Sequence, residues 1–244
     1  IAFSAEYSGT RQVYVMPSDG SAAPTQLTWY NDIGTMPLRG GYDNRVLDFS
    51  PDGKNILVRM NRLGFDERAG RPYFVPVAGG DEVPLAVPET GGGMLSPDGS
   101  KFVYTPIERE FRTWKRTRGG RAQDVWIYDL IANQSVQLTQ NRATDNQPMW
   151  IGDSIYFTSD RDYTLNLYQL PAGTANSETE PVKVTHFKEF DVLWPSAGPD
   201  ALVFEQAGRL YLMDTEALAA KSEPVQLKIS IPGDRPNTLP AIKA

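Results

Sequence analysis

Cysteine is absent from the 244 residues of this chain. Disulfides, thiolate metal sites and a cysteine nucleophile are thereby excluded, while a reducing cytoplasm and a bacterial periplasm both remain open as compartments. Histidine is nearly absent too, with His186 alone. Positive charge is in deficit, since 24 Lys and Arg stand against 30 Asp and Glu for a net charge of −6. A phosphate backbone attracts a basic surface, so nucleic acid is not an expected partner. No run of about 18 apolar residues occurs, and no membrane span is expected. Also missing are a Gly-x-Ser-x-Gly elbow, a Walker loop and a dinucleotide fingerprint. Long apolar patterns of period 3.6 are lacking as well, which leaves little room for helix.

What is present is a repeat. Two identical turns, Ser50-Pro51-Asp52-Gly53 and Ser96-Pro97-Asp98-Gly99, are followed by looser versions at Gly152-Asp153 and Pro199-Asp200. An apolar stretch precedes each turn and an alternating strand follows it: Ile56 to Val58, Phe102 to Tyr104, Ile155 to Phe157, Leu202 to Phe204. Asp-Gly between such runs signals a hairpin, because glycine takes the positive φ that the turn demands. A third strand carries an aromatic at a comparable place, Tyr14, Phe74, Trp126, Tyr168 and Tyr211. A short fourth strand closes each unit at Gln26-Leu27-Thr28, Pro84-Leu85-Ala86, Gln137-Leu138-Thr139, Lys183-Val184-Thr185 and Gln226-Leu227-Lys228.

Units of roughly 40–60 residues with four short strands are the signature of a propeller blade. The expected fold is an all-β propeller of four-stranded antiparallel blades, about five in this chain. One domain spans 1–244: an incomplete first blade at 1–30, blades at about 44–88, 91–140, 146–187 and 191–228, and a tail at 229–244. Ile1 to Tyr7 reads as a strand from the first residue, without initiator Met or signal-peptide pattern, so the chain is expected to be a fragment or processed product. The first blade lacks its innermost strand, supplied either by the tail or by an upstream blade.

Two segments carry the resemblance to a family. Thr113-Trp114-Lys115-Arg116-Thr117-Arg118-Gly119-Gly120-Arg121-Ala122-Gln123-Asp124-Val125-Trp126-Ile127-Tyr128 resembles an insertion between the second and third strands of one blade in the six-bladed N-terminal propeller of tricorn-type serine peptidases. Phe157-Thr158-Ser159-Asp160-Arg161-Asp162 fits the same family's blade pattern, and TolB-type propellers form the wider group. The resemblance implies a non-catalytic module of a six-bladed propeller, with the catalytic Ser and His in later domains and a role in filtering short peptides. The family also carries an arginine pair that anchors a peptide's terminal carboxylate; the matching loop, Asn31 to Tyr42, offers only Arg39.

Candidate chemistry is sparse. His186 follows Lys183-Val184-Thr185 at a repeat position held elsewhere by Trp29 and Gln140, a blade loop without a positioned nucleophile. No catalytic residue and no cofactor is expected. Asp160, Asp162 and Asp153 are oxygen donors without EF-hand spacing and are expected in solvated turns, so no metal site is assigned. The densest charge lies at Arg109, Arg112, Lys115, Arg116, Arg118 and Arg121, interleaved with Phe111 and Trp114. Arginine forks suit carboxylates. Arg39, Arg112, Trp114, Lys115, Arg116, Arg118 and Arg121 are therefore the candidates for binding a peptide or a partner. The alternative is a scaffold insertion whose cations pair with Glu108, Glu110 and Asp124. Expected partners are sister domains of a parent peptidase, a peptide, or a second copy of the chain. A stand-alone TolB-like scaffold is the other reading of function.

Overall fold

The computed structural model describes residues 1–7, 9–30, 44–62, 70–88, 90–107, 119, 122–173, 179–220 and 222–228. Five antiparallel sheets follow one another along the chain. The first has three strands, β1 (Ala2–Ala5), β2 (Gln12–Val15) and β3 (Thr25–Gln26). The second holds β4 (Arg45–Phe49), β5 (Asn55–Met60), β6 (Arg71–Pro76) and β7 (Val83–Pro84). The third holds β8 (Gly93–Leu95), β9 (Lys101–Tyr104), β10 (Trp126–Asp129) and β11 (Gln134–Gln137). The fourth holds β12 (Asp145–Ile151), β13 (Ser154–Ser159), β14 (Asn166–Pro171) and β15 (Val182–Lys183). The fifth holds β16 (Val192–Ala197), β17 (Ala201–Gln206), β18 (Arg209–Asp214), a short helix α1 (Thr215–Ala220) and β19 (Val225–Gln226). Strand order within each sheet is sequential, and the chain is a β-propeller.

The Ser-Pro-Asp-Gly turns show why the repeat folds as it does. Gly53 and Gly99 stand at φ 68° and 70°. The Ser50 hydroxyl donates to Asp52 (2.6 Å) and accepts from the Asn55 N–H (3.0 Å). Ser96 does the same with Asp98 and Lys101. These bonds clamp the turn across its neck. The carboxyl of Asp98 falls to about 2, because first Ser96 and then Ser100 donate to it in the charged form.

Inter-blade packing is apolar. Val13 and Leu27 meet Ile56, Val58 and Tyr73 between the first two blades. Leu57 and Leu85 meet Leu95 and Phe102 between the second and third. Val103 and Leu138 meet Ile155 and Phe157 next, and Leu167 and Val184 meet Leu202 and Phe204 last. Each of the first four blades sends its fourth-strand aliphatic residue toward the blade that follows.

One register is corrected. Tyr14, Trp126, Tyr168 and Tyr211 each pair with the residue just before the fourth-strand aliphatic position. In the second blade it is Tyr73, not Phe74, that pairs with Pro84 before Leu85. Phe74 belongs to the opposite face and packs toward the third blade, since adjacent strand residues point to opposite sides.

The first strands of successive blades lie against each other, β4 on β8, β8 on β12, β12 on β16. They line the centre. Within the third blade β8 lies close on β9, where a Cβ on Gly93 would stand 2.5 Å from the Val103 carbonyl oxygen and 2.4 Å from the Phe102 ring. Only glycine allows that approach. The expected tail strand, 229–244, lies outside the described residues. Among those residues no helix is long and apolar enough to cross a membrane.

Candidate functional site

In an up-and-down blade the connections from second to third strand and from fourth strand to the next blade emerge at the same end. Arg39 lies in the second kind of connection, between Tyr30 and Asn44. Arg112, Trp114, Lys115, Arg116, Arg118 and Arg121 lie in the first kind, between β9 and β10. All seven lie outside the described residues. The base of the β9–β10 segment is described: the buried Gln123 amide donates to the Ile107 carbonyl at 2.7 Å, tying its two flanks together.

The three aspartates do not converge. Asp160 is fully buried and accepts the Thr144 N–H at 2.7 Å. Asp162 accepts from the Tyr168 hydroxyl at 2.8 Å and from the Lys183 ammonium at 2.9 Å. Lys183, ahead of Tyr168, holds its carboxyl below the usual range. The Tyr168 hydroxyl moves upward, through burial first and its bond to Asp162 second. Asp153 sits in the β12–β13 turn at the other end of the blade. Burial of Asp160 corrects the expectation that it is a solvated turn residue. Its neighbour Arg161 pairs with the buried Asp145 at 3.2 Å and lies 4.6 Å from the centre of the Tyr168 ring. This polar cluster braces the end of the fourth blade. Among the described residues no group of three or more His, Asp or Glu is placed to hold a metal. His186 is exposed and outside any strand.

The centre of the ring holds features that sequence reasoning missed. Pairing between β12 and β13 shifts between Asn146 and Met149, and pairing between β16 and β17 shifts at the equivalent place between Leu193 and Ser196. The bulged residues are Gln147-Pro148 and Trp194-Pro195, with Gln147 at φ 51° and Trp194 at φ 50°. A non-glycine residue there costs about 1–3 kcal/mol, and such strain gathers at functional positions. Trp194 is 47% exposed. Arg45 of β4 reaches it, with Cζ 5.4 Å from the ring centre. The visible signal was the Xaa-Pro pair recurring one repeat apart inside a strand, where proline marks a bulge.

These blades around a centre lined by first strands define a β-propeller domain. A family model described as the tricorn protease N-terminal beta propeller domain matches residues 1–219, and the chain belongs to that family. It is 27% identical over 237 residues to tricorn protease homolog 1 of Streptomyces coelicolor, covering 96% of this chain and 20% of that protein. The crystal structure of the tricorn protease superposes with a TM-score of 0.68 at 19% identity, covering 92% of this chain and 21% of that one. A putative TolB from Agrobacterium tumefaciens superposes with a TM-score of 0.61 at 18% identity, covering 88% and 73%. The chain thus spans about a fifth of the length of the tricorn relative.

Proposed function

We propose that the chain is the non-catalytic propeller module of a tricorn-like peptidase, docking on sister domains and binding or gating short peptides. The observation that carries this reading is coverage: 96% of the chain aligns with a tricorn protease homolog while occupying 20% of its length. The rest of such a protein is the natural seat of catalysis. Arg39 and the Arg112 to Arg121 group lie outside the described residues; the chemistry of their cations suits acidic surfaces or peptide carboxylates.

The test has two parts. The purified chain is expected to hydrolyse neither peptides nor esters; turnover that vanishes in His186→Ala overturns the non-catalytic reading. Replacing Arg116, Arg118 and Arg121 together by Ala is expected to leave the melting temperature nearly unchanged. It should weaken association with the remainder of the parent polypeptide, supplied in trans, more at low salt than at high. A lowered melting temperature with unchanged association assigns the segment to scaffolding instead. The TolB-like likeness, with 73% of that chain covered, favours a stand-alone scaffold as second reading. The two separate on whether the parent reading frame continues into a protease domain.

A further inference from the structure

Arg45 and Trp194 belong to blades separated by two others. The first strands run in the order β4, β8, β12, β16, each against the next. A contact between the two outer members of that series passes across the centre of the ring. Arg45 makes that contact, at 5.4 Å from guanidinium carbon to indole centre, within the roughly 6 Å at which a cation is attracted by an aromatic face.

The backbone is arranged for it. Trp194 occupies a bulge ahead of Pro195 at φ 50°, a conformation an aromatic residue adopts only when its surroundings impose it. The bulge takes the indole out of blade-to-blade packing: Trp194 is 47% exposed, whereas Phe204 of the same blade is fully buried. The gain from this placement is the contact at the ring centre. A guanidinium on an indole is weakly hydrated and planar, so the pair can be separated by rotamer changes of two long side chains while the strands stay in place.

We propose that Arg45 and Trp194 form a clasp across the central passage, which an oligopeptide parts on entering between the first strands. The second half rests on the peptide-binding reading above; the clasp does not. A peptide carboxylate or carbonyl compensates the guanidinium it displaces from the indole, and peptide methylene and methyl groups compensate the ring.

The experiment is fluorine NMR on the chain labelled with 5-fluorotryptophan, in which the five tryptophans give five lines. Trp194 is assigned as the line lost in Trp194→Phe. Arg45→Met, close in shape and uncharged, is expected to shift the Trp194 line and leave the other four in place, with Arg45→Lys shifting it less. An unmoved Trp194 line, or equal movement of all five, overturns the clasp. The unsubstituted chain is then titrated with hexa-alanine bearing a free carboxylate. A saturable movement of the Trp194 line toward its position in Arg45→Met is expected. Movement of other lines alone leaves peptide binding standing and overturns the gate. If Arg45→Met shifts the line but hexa-alanine moves none, peptide binding at the passage fails and the contact is a fixed brace.

Discussion

Asp48 shows how one inserted residue alters chemistry. The run Arg45-Val46-Leu47-Asp48-Phe49 reads as an alternating strand, but pairing with β5 slips by one residue between Val46 and Asp48. Asp48 then stands opposite Leu57, which is fully buried between the second and third blades. Burial pushes the Asp48 carboxyl up to about 7, against a smaller opposing effect of the Phe49 N–H. A folded-state value above the unfolded one means the native chain holds a proton that the unfolded chain releases. The contribution of Asp48 to stability is therefore fully present below the ordinary carboxyl value of 3.8 and is lost as pH rises through about 7. The full loss is on the order of 4 kcal/mol at most for a carboxyl that moves from 3.8 to about 7. Asp48→Asn is expected to flatten the fall in denaturant midpoint between the ordinary carboxyl value of 3.8 and about 7. An unchanged pH profile in the variant would show that Asp48 is solvated in the folded chain.

At the scale of the strand, the short fourth strands raise the question of how the third strand's leading N–H groups are satisfied. β3 and β15 are only two residues long. Threonine supplies the missing acceptor: the hydroxyls of Thr28, Thr139 and Thr185 accept the N–H of Val13, Val125 and Leu167 at 3.0, 2.9 and 2.9 Å. Thr185 also donates to the Asn166 side chain at 2.9 Å, as Thr28 does to Gln12 at 2.7 Å. The aliphatic-Thr pair was legible as a repeat, yet its role was not, because its partner lies more than a strand away in sequence. Thr185→Val preserves shape and leaves the buried Leu167 N–H without the hydroxyl that accepts it, which costs about 1–3 kcal/mol. The expected drop in melting temperature is roughly 2–12 °C, using about 2–4 °C per kcal/mol for chains of this size. A melting curve superimposable on that of the unsubstituted chain would show that water replaces the hydroxyl.

For the whole molecule, five sheets share four apolar interfaces among the described residues. Leu27, Leu85, Leu138 and Val184 are buried against a following blade, whereas Leu227 is only partly buried. On the same blade Leu210 is 38% exposed and Val225 62% exposed. At the opposite end of the series, Phe3 stacks on the buried Tyr14 at 5.8 Å on the face turned away from the second blade, and the exposed Tyr7 covers Tyr14 at 5.1 Å. The equivalent pairs Phe157–Tyr168 and Phe204–Tyr211 pack against a preceding blade. Exposed apolar sheet faces drive association. The chain is therefore expected to self-associate at micromolar concentration in sedimentation equilibrium, and the double variant Leu210→Lys, Val225→Lys to sediment as a monomer with its unfolding midpoint retained. Unaltered association in the double variant would place the contact on another surface.

Blade number, turn chemistry and the apolar fourth-strand positions were determined by sequence alone, because they depend on local spacing: Gly53 and Gly99 need only their own turn, and Leu138 only its place after β10. The third-strand register of the second blade was not, since Tyr73 and Phe74 are both aromatic and only pairing with Pro84 decides which faces the first blade. The Arg45–Trp194 contact and the half-buried Asp48 belong to tertiary structure. The Xaa-Pro pairs mark where two bulges fall, but a bulge reverses which face a side chain occupies and a cross-ring contact joins residues three blades apart, so neither the partner of Trp194 nor the placement of Asp48 follows from local spacing.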